Sequence, residues 1–184
     1  MNVESVMRQI ETEASNRKRF LPIVGPVKGN FLYMLTKISH AKDVLDIGTL
    51  TGYSSLLLVK SIGSGGKVTT IESDNKFYNE AVENFKKAKA KNIIPKFGDA
   101  KILLKGMRKN KFDLIFLDIW KEEYVSVLDD CVRILKKTGL LVADNVLWEE
   151  EHLREWRNSI FNHKQLVSFL VPLADGMSVS MKIK

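Results

Sequence analysis

The sequence has a single cysteine, so no disulfide framework can hold the chain together. Cys131 falls in DDCVRILKK at helical spacing from Leu128 and Leu135, which predicts a buried structural thiol rather than a reactive one. No run of about 18 apolar residues occurs, which excludes a hydrophobic membrane-spanning helix. The opening stretch MNVESVMRQIETEASNRKRF mixes acids with bases and has no apolar block of the kind a secretory leader needs. These absences together predict a cytoplasmic protein. The three histidines, His40, His152 and His163, match no metal-ligand spacing and receive no role. Internal repeats, low-complexity segments and linkers are lacking too, so residues 1–184 read as one domain: an N-terminal helical segment over 1–40 and an α/β core over 41–184.

The 184 residues are enough to bury a core without metal or disulfide staples. Twenty-nine basic residues against 22 acidic ones give a net charge of +7. The lysines are scattered (KFYNEAVENFKKAKAKN, KGMRKNK, RILKK) with no interleaved aromatics to stack on bases. A solvated lysine-rich surface accounts for this, and an anionic partner such as RNA remains the alternative.

The pattern along the chain predicts an amphipathic helix near 3–17 and a second helical element starting at Pro26, a residue suited to a first helical turn. From residue 43, short apolar runs alternate with helical periodicity. DVLDIG, KVTTIE, IIPKFGD, FDLIFLD and LLVADN read as strands. TGYSSLLLVKSIG and SDNKFYNEAVENFKKAKAK read as helices, the second capped by Ser73 or Asp74. Further helices are expected at about 100–108, 121–137 (ended by Gly139) and 149–161. Alternation of this kind implies a parallel sheet with right-handed crossovers. The last two strands, QLVSFLVPL and MSVSMKIK, turn through Asp175-Gly176 and predict an antiparallel hairpin closing a doubly wound sheet of seven strands.

Ligands of open α/β sheets lie at the carboxyl ends of the strands, so each strand end is a candidate. The first carries D-I-G-T-L-T-G-Y-S, residues 46–54. Gly48 and Gly52 would let a ligand approach the backbone closely, although a tight turn gives the same pattern. The second ends at Glu72, 24 positions after Gly48, where a carboxylate can accept from both hydroxyls of a ribose. The third ends at Gly98-Asp99-Ala100, where Asp99 either accepts from an adenine amino group or caps the next helix. Three such features in order predict a nucleoside site. Asp118 closes the fourth strand, with Lys121 three residues on, and Asp144-Asn145 close the fifth. Their oxygens suit Mg²⁺ rather than zinc or copper, although Asp144 and Asn145 could also serve as helix caps.

At these residues the chain resembles the class I S-adenosylmethionine-dependent methyltransferases, and among them the cation-dependent catechol and caffeoyl-CoA O-methyltransferases. The likeness covers roughly residues 20–184. It implies a Rossmann-like fold with S-adenosylmethionine as methyl donor. By the resemblance Gly48 and Ser54 hold the methionine end, Glu72 the ribose, and Asp99 with Ala100 the adenine, and Gly52 also belongs to the cofactor-binding residues. It further implies that Trp120 packs on the adenine ring, that Val24 in PIVGPVKG lies near the cofactor carboxylate, and that Asp118 borders the cofactor. Asp118, Asp144 and Asn145 would bind a divalent cation, Mg²⁺ by their oxygen chemistry, and Lys121 would be the base that deprotonates the acceptor. Trp148 resembles the family tryptophan near the acceptor pocket. Asp46 departs from the glutamate often found there.

The expected acceptor is a small molecule with vicinal hydroxyls. Hydroxyuridine in tRNA is the rival, and a non-catalytic nucleoside binder is a third reading. No long insertion separates Asn145 from the final hairpin, so an open acceptor pocket, or one completed by a second subunit of a homodimer, is expected.

Overall fold

The computed structural model describes residues 1–16 and 21–184; the last residue of the helix expected at 3–17, Arg17, lies outside them. Two helices open the chain, α1 (Val3–Ser15) and α2 (Gly25–Ile38). Asn2 caps α1 by accepting from the Ser5 amide at 2.9 Å, and Pro26 sits in the first turn of α2.

The core then alternates: β1 (Asp43–Ile47), α3 (Tyr53–Ile62), β2 (Lys67–Glu72), α4 (Asn75–Lys87), β3 (Ile93–Phe97), α5 (Ala100–Leu103), β4 (Phe112–Leu117) and α6 (Tyr124–Ile134). The chain ends with β5 (Leu135–Asp144), α7 (Glu151–Asn162), β6 (Leu166–Val171) and β7 (Met177–Lys182). Asp74 caps α4 by accepting from Lys76 and Phe77, as its position after β2 predicts.

The seven strands form one sheet in the order β3-β2-β1-β4-β5-β7-β6. β1 to β5 are parallel, and β7 and β6 add the antiparallel hairpin. β1 and β4 lie at the centre and are buried almost throughout, as expected of parallel strands covered on both faces. Alternate residues serve opposite layers. Val44, Leu114 and Phe116 pack with Val6, Leu32, Leu56 and Phe85 from α1 to α4. Leu45, Ile115 and Leu117 pack with Tyr124, Leu128, Cys131 and Trp156 from α6 and α7. Each fully buried aliphatic side chain in these layers contributes about 1.5–3 kcal/mol. Cys131 is buried at 0% exposure, as its helical spacing predicts. No helix among the described residues is long and apolar enough to cross a membrane.

The helix expected over 121–137 needs correction. A single 3-10 turn (Lys121–Glu123) leads into α6, which stops at Ile134, and Leu135 already belongs to β5. Gly139 therefore ends no helix. Two steps along β4, Phe112 to Leu114, pair with five along β5, Leu135 to Leu140, so residues 136–139 bulge out of the ladder. Thr138 takes a positive φ of 63° there, and a Cβ on Gly139 would crowd the Asp113 and Lys136 carbonyls at 2.9 Å. The helix expected at 100–108 is likewise shorter, one turn of α5 followed by a 3-10 turn to Gly106.

Chain order reverses between β1 and β4: β2 and β3 follow on one side, β5 on the other. That switch opens a crevice at the carboxyl ends of β1 and β4, the usual ligand position in such sheets.

Candidate active site

The β1 end is built for close approach. Gly48 has φ 103°, and a Cβ on it would collide with the Asp118 carbonyl oxygen at the end of β4. Gly52 has φ 93°, and a Cβ there would lie 2.5 Å from the Phe85 ring. Only glycine fits both constraints at either position. Ser54, in the first turn of α3, donates to Asp46 Oδ2 at 2.9 Å, joined by Ser55 at 2.5 Å and Thr70 at 3.1 Å. Burial pushes the Asp46 carboxyl up to about 7, against the three hydroxyl donors that favour its charge. Its other oxygen, Oδ1, and the Thr51 hydroxyl are buried with no hydrogen-bond partner. Two orphaned polar atoms flanking a glycine cradle suit a polar ligand, because buried polar groups are seldom left unpaired.

Glu72 stands at the end of β2. Its Oε2 accepts from the Leu50 amide at 2.8 Å, and its Oε1 from the Ser73 and Asp74 amides at 2.9 Å each. These bonds fix the carboxylate toward the β1 loop, and a carboxylate with about four acceptor sites keeps capacity for a ribose hydroxyl. Asp99 caps α5, its Oδ1 accepting from the Lys101 amide at 2.7 Å, which is the capping alternative open in the sequence. Ala100 is buried beside it. Trp120 stands 78% exposed after β4, and Trp148 is 43% exposed. Val24 is buried at the start of α2 and packs within the helical layer.

Asp118, Lys121, Asp144 and Asn145 gather at the ends of β4 and β5. Lys121 Nζ donates to Asp118 Oδ1 at 2.7 Å and to Tyr124 Oη at 2.9 Å. Tyr124 Oη lies 3.0 Å from the Asp144 carbonyl and 3.1 Å from that of Leu117, and with one proton it serves one of them at a time. Burial, with the Asp118 and Asp144 charges, raises the Tyr124 phenol well above its ordinary range and keeps it protonated.

Asp144 is held by a residue that sequence reasoning missed. Lys28, from the first turns of α2, places Nζ 2.6 and 2.7 Å from the two Asp144 oxygens and 2.6 Å from Asp175 Oδ1. The Asn145 amide donates to Asp175 Oδ2 at 2.5 Å. Burial raises the Asp144 carboxyl to about 6, the Asp118 charge adds to this, and Lys28 opposes it. Burial opposes the charge on Lys28, but Asp144 and Asp175 outweigh it and raise its affinity for the proton. Asp175 registers in the sequence only as a turn residue and Tyr124 only as part of a helix face. Lys28 carries no local signal beyond being a lysine in an otherwise apolar turn.

The expected Mg²⁺ can be tested against this donor set. Two carboxylates and an amide oxygen suit that ion chemically. Their arrangement does not: both Asp144 oxygens face the Lys28 ammonium, Asp118 holds Lys121, and Asn145 is turned to Asp175. Among the described residues no group of three or more His, Cys, Asp or Glu side chains is placed to hold a metal ion.

A doubly wound sheet with a glycine cradle and an acidic residue at the next strand end defines the Rossmann-like, nucleoside-binding class of α/β proteins. The chain belongs to the O-methyltransferase family, whose model matches residues 2–183. It is 33% identical over 152 residues to a putative caffeoyl-CoA O-methyltransferase of Arabidopsis thaliana, covering 74% of this chain and 66% of that protein. It is 31% identical over 143 residues to a catechol O-methyltransferase of Niastella koreensis, covering 72% and 62% respectively. The chain thus spans slightly less than two thirds of the length of these relatives. The fold superposes on an O-methyltransferase from Bacillus cereus in complex with SAH with a TM-score of 0.86, at 22% identity and over 97% of this chain and 90% of that one.

Proposed function

We propose that this chain is an S-adenosylmethionine-dependent O-methyltransferase acting on a hydroxyl of a small, catechol-like acceptor. The observation that carries the reading is the meeting of two features across the β1/β4 crevice. The Gly48 cradle touches the backbone of Asp118, and Asp118 holds Lys121 by a 2.7 Å bond. A donor seated on the cradle therefore lies beside Lys121, a lysine placed to handle an acceptor proton.

The residues fit the cofactor. Gly48 and Gly52 leave backbone room, Asp46 Oδ1 and Thr51 Oγ1 lack partners, and Glu72 is already oriented for a ribose. When bound there, S-adenosylmethionine would supply an electrophilic sulfonium methyl group to the acceptor oxygen, its sulfur keeping the electron pair of the broken carbon–sulfur bond. Lys121, in its neutral form, takes the acceptor proton on Nζ. Tyr124 and Asp118 hold that amine in place, so the base is positioned before the acceptor arrives. Asp99 and Ala100 border the adenine end, Trp120 offers an exposed face to cover it, and Val24 lies behind the start of α2.

The relatives' names support a phenolic acceptor. The RNA alternative draws on the basic charge, yet the described residues place a strongly basic cleft elsewhere. A cleft of about 710 Å³ lined by Lys109, Arg133, Lys137, Lys182 and Lys184 lies at the opposite ends of the strands from Asp144. A methyl-transfer screen with labelled cofactor, comparing catechols with unmodified and hydroxylated tRNA, tests the reading. Label on a catechol oxygen is the expected result. Label on tRNA alone would replace the small-molecule acceptor with RNA.

A further inference from the structure

The Lys28 ammonium is buried although none of the roles assigned above uses it. It makes three short bonds, to both oxygens of Asp144 and to one of Asp175, and so uses all three of its donors. Its side chain is 9% exposed and that of Asp144 is 2% exposed. Asn145, a residue expected to bind metal, instead fixes the second oxygen of Asp175. Lys28 comes from α2, far from β5 in sequence, so the contact is a feature of the fold and not of a local turn.

Asp118, Asp144 and Asp175 bring three negative charges, and Lys28 and Lys121 bring two positive ones. The cluster already stands within one charge of neutrality. A divalent ion bound by Asp118 and Asp144 would sit within a few ångströms of the Lys28 ammonium and lose its hold on Asp144 to it. Driving Lys28 away would leave a buried ammonium with one carboxylate in place of two, and an underpaired buried charge is costly.

We propose that Lys28 is the resident cation of this site, and that this chain transfers methyl groups without a divalent metal ion. Lys28 is a positioning residue. It offsets the buried Asp144 and Asp175 and keeps the end of β5 beside Tyr124 and Lys121 in working order. An acceptor then needs no chelating pair of oxygens: one hydroxyl within reach of Lys121 is enough. The inference rests on the methyltransferase reading, and its test reads metal binding separately from turnover.

The experiment titrates Mn²⁺ against the purified full chain and follows the free-ion signal by electron paramagnetic resonance. The same samples are checked for binding of S-adenosylhomocysteine by calorimetry. The wild-type chain is expected to leave the Mn²⁺ signal unchanged at concentrations where Lys28→Gln removes it, a gain in affinity of about tenfold or more. Adding Asp144→Asn to Lys28→Gln should abolish the gained site. Methyl transfer by the wild type should be the same with EDTA as without it. A wild-type Mn²⁺ site that Asp144→Asn destroys, or activity lost in EDTA and restored by Mg²⁺, overturns the proposal. A folded Lys28→Gln chain that gains no Mn²⁺ site overturns the role given to Lys28. If that variant does not fold, the wild-type titration and the EDTA comparison decide alone. Loss of S-adenosylhomocysteine binding by the wild type would instead count against the methyltransferase reading.

Discussion

Gly48 and Asp118 meet at the ends of β1 and β4 so closely that no side chain fits between them: a Cβ on Gly48 would collide with the Asp118 carbonyl oxygen. The same glycine has φ 103°, a conformation that L-residues rarely adopt. The contact joins the proposed cofactor cradle to the strand end from which Asp118 holds Lys121. Gly48→Ala should therefore cost about 2–4 kcal/mol of stability, from backbone strain and overpacking together. Thermal unfolding should show the loss, and any variant chain that remains folded should bind S-adenosylhomocysteine poorly. A Gly48→Ala chain with unchanged melting temperature and affinity would mean that the two strand ends are not closely joined.

Lys121 is the proposed base, and its replacement tests the acceptor chemistry. Lys121→Ala should lower kcat by about 10²–10⁴-fold, the usual contribution of a positioned base. Lys121→Arg should not restore it, because a guanidinium stays charged and takes no proton. Cofactor affinity should change little in either variant.

Buried Asp46 predicts how stability varies with pH. Its carboxyl is raised to about 7 in the folded chain from an ordinary 3.8. An acid raised on folding binds its proton more tightly in the native state, so its contribution to stability is fully present below the unfolded value and is lost as pH rises through the folded one. The cofactor-free chain should accordingly lose stability between about pH 4 and pH 7 through this group. Asp144, raised to about 6, acts in the same direction. Asp46→Asn keeps the three hydroxyl partners, which can reorient toward an amide, and should flatten part of the slope. Melting curves of both chains across that range check this, and parallel slopes would contradict it.

Much of this architecture is legible in the sequence because the central strands are continuous apolar runs and their ends carry glycine or acid. Val44 to Ile47 and Leu114 to Leu117 can be read without tertiary information, and so can the hairpin at Asp175-Gly176. The helix over 121–137 misleads because Ile134 and Leu135 continue the apolar face of α6, although Leu135 already pairs with Phe112. The bulge that follows has no periodic signature. Local composition also cannot show that Lys28 reaches Asp144 across 116 positions. The oxygen ligands expected for Mg²⁺ are chemically correct for that ion, but their orientation depends on a lysine brought from another helix. Asp99 illustrates the opposite case: the capping geometry that its sequence allows is the one it adopts.

Cofactor binding at the β1 and β2 ends is the central claim, and Glu72 is the residue through which to test it. Isothermal calorimetry of S-adenosylhomocysteine with the wild type and with Glu72→Ala is the direct measurement. The wild type should bind one molecule per chain, and Glu72→Ala should weaken that binding by about 1.5–3 kcal/mol, the scale of hydrogen bonds to a charged group. Because Glu72 also ties down the Leu50, Ser73 and Asp74 amides, Glu72→Gln serves as the milder control and should fall between the two. No heat of binding from the folded wild type, or equal affinities in all three chains, would contradict the assignment.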